Sequence, residues 1–209
     1  TRWLSDWSSD VCSSDLCLFL TDWFPTGDGN IWAECIEYAD EILFIDHPML
    51  ATEPEALRGR VRHTGPVFRR LDALPETRDA ARIGLGWSSE RFVVLVIPSA
   101  APIFTEARAP LMDLVIAAFD LIERRDKMLV WVAGEADYAA IAARFGARQD
   151  AMVVPAQDGI ERLMWASDVA ITKANRITTL ELQVLGTPSV SISFGLNSVD
   201  DRRVMRIPT

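Results

Sequence analysis

Residues 169–188 read VAITKANRITTLELQVLGTP, an apolar run followed by a polar turn and a second apolar-patterned segment. The stretch reads as a strand, a tight turn and a helix over residues 177–185. Such a helix start is a ready-made anion site. Its first turn leaves backbone N–H groups without partners, its dipole places partial positive charge there, and Thr178 or Thr179 can add a hydroxyl. Glu181, one turn further in, is placed to accept hydrogen bonds from the vicinal hydroxyls of a sugar. The same residue types also suit simpler roles: Glu181 as a solvent-facing helix residue, the threonines as ordinary helix-start hydroxyls.

Working back along the chain, the same unit recurs in kind. A helix over residues 77–83 precedes FVVLVIP (92–98), a continuous apolar run typical of a strand buried on both faces. A helix over 109–124 precedes MLVWVAG (128–134), one over 136–145 precedes AMVVP (151–155), and one over 159–166 precedes DVAIT (168–172). The helix at 177–185 then leads into PSVSIS (188–193). Strands separated by helices of ordinary length predict a doubly wound parallel α/β sheet, because parallel neighbours need a crossover and a helix is the usual one. In such sheets ligands bind outside the carboxyl ends of the strands. Three loops are therefore expected on one rim: one with Ser99 after the first of these strands, one with Gln157 and Asp158 after the third, and one with Lys173, Asn175 and Arg176 after the fourth. Lys173 and Arg176 can neutralise phosphate charge. Asn197, Asp200 and Asp201, after the fifth strand, can face a sugar's hydroxyls or form an Asx turn.

Before residue 67 the pattern is less regular. CLFL (17–20), a loop DWFPTGDGN (22–30), a helix IWAECIEYA (31–39), a strand EILFID (41–46) and an extended VRHTGPV (61–67) read as the last part of one domain running into a linker. The domain division expected is 17–66 for that remnant with its linker and 67–209 for the regular α/β domain. His47 and His63 have no nucleophile motif beside them and read as structural. Asp22 ends a strand and reads as a turn starter, with a place in the cleft as the alternative.

Composition narrows the function classes. The chain has 209 residues, 49% of them hydrophobic, and a formal charge of -9, which argues against a nucleic-acid partner. No apolar run is long enough to span a bilayer. Residues 6–16, DWSSDVCSSDL, resemble the translation of a common short-read sequencing adapter codon for codon, so residues 1–16 are set aside as non-biological. Without that segment the charge is -7, and Cys17 and Cys35 remain, with no CxxC spacing and no His cluster. Neither a disulfide framework, a metal site nor another cofactor is expected. A reducing, cytoplasmic setting is the default.

The order of these segments resembles the carboxy-terminal nucleotide-binding domain of GT-B glycosyltransferases, in the superfamily of the peptidoglycan N-acetylglucosaminyltransferase and the monogalactosyldiacylglycerol synthases. TGPVFRR (64–70) is similar to the family's entry into its second domain, and ERLMWASDVAITK (161–173) to the strand that precedes its signature. Thr178, three residues before Glu181 and followed by Gly186-Thr187-Pro188, is similar to the family's Gly-Gly-x-Thr-x-x-Glu signature and Gly-x-Pro turn. The resemblance implies that Glu181 holds a ribose, that residues 175–179 hold a diphosphate, and that Gln157 and Asp158 flank the base. It implies an inverting hexosyltransferase with a UDP-sugar donor, no metal, an acceptor that stays open (a lipid-linked one included), and peripheral contact with the inner membrane face. Two departures stand out. Asn175-Arg176 replaces the paired glycines, and Ser99-Ala100-Ala101-Pro102 replaces a glycine-rich loop. The resemblance also implies that the chain is a fragment, inactive alone, whose general base lies in an absent amino-terminal domain. A sugar-nucleotide epimerase or hydrolase of the same architecture, and a non-catalytic sugar-nucleotide binder, are the alternative readings.

Overall fold

A computed structural model describes residues 18–21, 39–45, 55–65, 67, 71–98, 105–146, 148–156, 159–173 and 176–192. The chain divides into two compact units, with the division after Val67. In the first, β1 (Leu18–Thr21), β2 (Glu41–Phe44) and β3 (Val61–His63) form a parallel sheet in that order. Central β2 alternates half-buried and buried positions, so Ile42 and Phe44 face a small core with Ala39 and Leu57. His63 packs edge-to-face on Phe44, with ring centroids 5.2 Å apart. The segments 1–17 and 22–38, which hold the adapter-like stretch, Asp22 and the expected helix at 31–39, lie outside the described residues, as does His47.

The second unit is a three-layer α/β structure. Its strands are β4 (Phe92–Ile97), β5 (Lys127–Ala133), β6 (Ala151–Pro155), β7 (Val169–Lys173) and β8 (Ser189–Ile192). All neighbours pair in parallel, in the order β6-β5-β4-β7-β8. The intervening helices are α1 (Arg78–Gly84), α2 (Thr105–Asp120), α3 (Tyr138–Phe145), α4 (Ile160–Ala166) and α5 (Arg176–Val184). This is the doubly wound parallel sheet that the alternation of apolar runs implied. Val93, Leu95 and Val130 pack into one core with residues of α1, α4 and α5, whereas Val94, Val96 and Trp131 pack into the other with α2 and α3. Burial on both faces is why these strands are written as continuous apolar runs.

Helix ends follow local rules. Thr77 caps α1, accepting the Ala80 N–H at 3.1 Å. α1 and α5 stop in the same way: Gly86 and Gly186 take positive φ, and the next residue donates back, Trp87 N to Arg82 O at 2.8 Å and Thr187 N to Leu182 O at 2.9 Å. Only glycine enters that left-handed conformation without a Cβ penalty, so Leu-Gly is a stop signal in both helices.

The helix expected over 109–124 is displaced, running instead from Thr105 to Asp120. Pro110 resembles a helix start but lies inside the helix, where it removes one i→i−4 hydrogen bond. The end is set from outside the helix. Lys127 donates its ammonium to the carbonyls of Phe119 and Ile122, both at 2.8 Å, and so satisfies the last turn.

Arg148 braces the same corner. It donates to both carboxylate oxygens of Asp120, the shorter contact being 2.6 Å, and to both of Asp150, at 2.9 and 3.0 Å. These hydrogen bonds hold both carboxyls below the usual carboxylate range. A depressed carboxyl contributes stability above its unfolded pKa and loses it as pH falls through the folded value. Thermal melts should therefore show Arg148→Met less stable than the parent near neutrality, with the gap closing below about pH 4. A gap independent of pH would mean that the brace acts only through packing on Phe119.

Candidate functional site

The strand order reverses between β4 and β7, and a crevice at the carboxyl ends of such a pair is where open α/β sheets bind ligands. Two hydrogen-bond systems tie these strands together. At their amino ends the Asp168 carboxylate accepts the Val93 N–H at 2.7 Å and the Arg82 guanidinium at 2.7 Å. At their carboxyl ends the Thr172 hydroxyl lies 3.3 Å from the Ile97 carbonyl and 3.1 Å from that of Lys173, donating to one at a time. The two strands are thereby tied to each other at both ends of the pair.

Three polar residues are buried just past this edge. Lys173, which ends β7, is 7% exposed, Thr178 in the first turn of α5 is 5% exposed, and Glu181 one turn on is fully buried. Each has at least one polar or electrostatic interaction in the fold. The solvent-facing alternative for Glu181 is thus overturned: Leu182 and Thr178 are buried with it, so this side of α5 lies against the sheet. Thr179 is half-buried, and of Arg176, which opens α5, only the backbone is described. A lysine, a hydroxyl and a carboxylate collected at one strand-to-helix junction can meet an anion and a hydroxyl-bearing group together.

The carboxyl ends of β4, β6 and β7 lie on one edge, since all strands are parallel. They are not equally close. β4 and β7 are neighbours, while β6 is the outer strand, three strand spacings or roughly 14 Å from β7. Ser99, Gln157, Asp158, Asn175, Asn197, Asp200 and Asp201 lie outside the described residues.

Sequence reasoning missed Arg82. It is 5% exposed and its guanidinium also donates to the Ala166 carbonyl at 2.8 Å and the Ser89 carbonyl at 2.6 Å. An arginine in the last turn of a helix ordinarily reads as a solvent residue, and its partner Asp168 is 86 positions away.

No family model matches the chain. Over 87 residues it is 32% identical to the UDP-N-acetylglucosamine--N-acetylmuramyl-(pentapeptide) pyrophosphoryl-undecaprenol N-acetylglucosamine transferase of Bacillus licheniformis, covering 40% of this chain and 24% of that protein. Among solved structures, WaaG, a glycosyltransferase involved in lipopolysaccharide biosynthesis, matches 92% of this chain and 66% of its own at 16% identity and a TM-score of 0.53. MurG of Acinetobacter baumannii matches 92% of this chain and 49% of its own at 15% identity and a TM-score of 0.50. The fold is therefore that of the GT-B glycosyltransferases. Within them, the chain resembles the peptidoglycan N-acetylglucosaminyltransferase group. It spans about a quarter of the curated relative and less than two thirds of these structures. Among the described residues no helix is long and apolar enough to cross a membrane.

Proposed function

We propose that this chain carries the donor-binding part of a glycosyltransferase that moves a hexosyl group from a UDP-sugar to an acceptor hydroxyl with inversion. The observation that carries the reading is the burial of Lys173, Thr178 and Glu181 together at the β7–α5 junction, beside the switch point of a GT-B-type sheet. In this proposal Glu181 accepts hydrogen bonds from the ribose. The backbone N–H groups of residues 175–179, with the Thr178 and Thr179 hydroxyls, hold the diphosphate, and Lys173 and Arg176 offset its charge. Gln157 and Asp158 flank the base, and Ser99, Asn197 and Asp200 border the sugar.

The reaction is a single displacement. The acceptor oxygen forms a bond to the anomeric carbon as the bond from that carbon to the diphosphate oxygen breaks. The hydroxyl proton passes to a general base of the amino-terminal domain, and the diphosphate leaves with its charge stabilised by the α5 N-terminus, without a metal. Lipid-linked acceptors and a cytoplasmic location against the inner membrane face fit the same reading, in keeping with the group the chain resembles.

Calorimetry tests it directly. UDP and UDP-N-acetylglucosamine should bind the chain saturably at one site with dissociation constants below about 1 mM, a binding energy of roughly 4 kcal/mol or more. A folded chain that takes up neither nucleotide would sink the assignment.

A further inference from the structure

Away from the switch point, a hollow of about 320 Å³ opens beside β6, the outer strand of the large sheet. Its walls include Leu85 and Trp87 after α1, Met152 and Val154 of β6, and Ile160 and Leu163 of α4, with Arg162 also lining it. The hollow has a simple origin. Met152 and Val154 are two apart and so point to the same side of the strand, the side where Val154 joins the core formed with α1 and α4. α4 is only seven residues long, and Met152 is left 36% exposed.

Two donors on this lining are unused. Trp87 is 8% exposed, yet among the described residues its indole N–H makes no hydrogen bond. The exposed guanidinium of Arg162 likewise makes neither a hydrogen bond nor an ion pair among them. Among the described residues Arg162 is the only charged one on the lining, and none of them supplies it with a counter-ion.

We propose that the hollow binds a small amphiphilic anion, an alkyl carboxylate of about eight carbons. The volume lies at the small end of the range for ligand pockets, which suits a ligand of about ten non-hydrogen atoms such as octanoate. Such pockets bind through an apolar body and a few oriented polar groups. Here the apolar walls receive the chain, Arg162 meets the carboxylate, and the Trp87 N–H is a neutral donor for a carboxylate oxygen.

An amide and indole NMR titration of the full chain with octanoate tests this, with the Trp87 indole signal assigned from Trp87→Phe. Octanoate should shift that signal saturably. Arg162→Gln should weaken octanoate about fivefold, the effect of one exposed charge pair, while leaving 1-octanol unchanged. Val154→Trp, which fills the hollow, should abolish the shift while the rest of the spectrum stays dispersed. An unmoved Trp87 signal across the titration would overturn the proposal. So would equal affinities for octanoate and octyltrimethylammonium, which would show apolar adsorption without charge recognition.

Discussion

Arg82→Met is expected to lower the stability of the second unit by about 3 kcal/mol, the cost of removing one partner from a mostly buried charged hydrogen-bond system. The substitution preserves most of the apolar stem, so the loss isolates the guanidinium. The carbonyls of Ala166 and Ser89 lose a side-chain donor, and the carboxylate of Asp168 loses its buried guanidinium while keeping the Val93 N–H and the Arg78 guanidinium at 3.9 Å. Asp168 keeps some access to water, with its side chain 26% exposed, which holds the effect below that of a fully buried pair. For a unit of this size the melting temperature should fall by roughly 10 °C. Arg82→Lys should recover only part of it, because an ammonium cannot reproduce the planar fork that reaches a carbonyl on either side of the carboxylate. Asp168 also accepts from Val93, so Arg82→Met and Asp168→Asn should combine less than additively in a double-mutant cycle. A melting temperature unchanged in Arg82→Met would show that the three contacts contribute nothing net.

Glu181→Ala is expected to reduce UDP affinity between about 10- and 100-fold, the range for losing hydrogen bonds to a charged acceptor. Its complete burial raises a competing role, anchoring the β7–α5 junction, and two measurements separate them. Glu181→Gln keeps the shape and one acceptor oxygen, so a purely structural carboxylate would show its loss in thermal melts and not in nucleotide affinity. A ribose contact also predicts selectivity: the parent chain should prefer UDP over its 2′,3′-dideoxy analogue, and Glu181→Ala should bind the two alike. If the parent chain itself does not distinguish them, Glu181 is a structural anchor only.

Much of the second unit was legible because its signals are local. FVVLVI (92–97) and MLVWVA (128–133) are apolar over their whole length because both faces of the sheet are covered there, and the Leu-Gly pairs at residues 85–86 and 185–186 stop their helices through backbone geometry alone. α2 runs over 105–120 and not 109–124, with Pro110 inside it and its last turn met by Lys127, which reaches back from the next strand. β8 is an outer strand, and its Val190 is 54% exposed. At the candidate site the residue types at 173–181 were visible as a pattern. Their burial was not, because the pattern TTLE suits a wet helix face and a buried one equally.

The sequence alone determined the alternation of strand and helix, the parallel α/β class and the strand-turn-helix at residues 169–188, since each is encoded by neighbours within a few residues. The tertiary structure decided what lies beside what. It placed β7 against β4 and β6 at the outer edge, buried Lys173, Thr178 and Glu181 at one junction, and joined Arg82 to Asp168. Those outcomes depend on long-range pairing and on which polar groups find partners when water is excluded, quantities that no local spacing records.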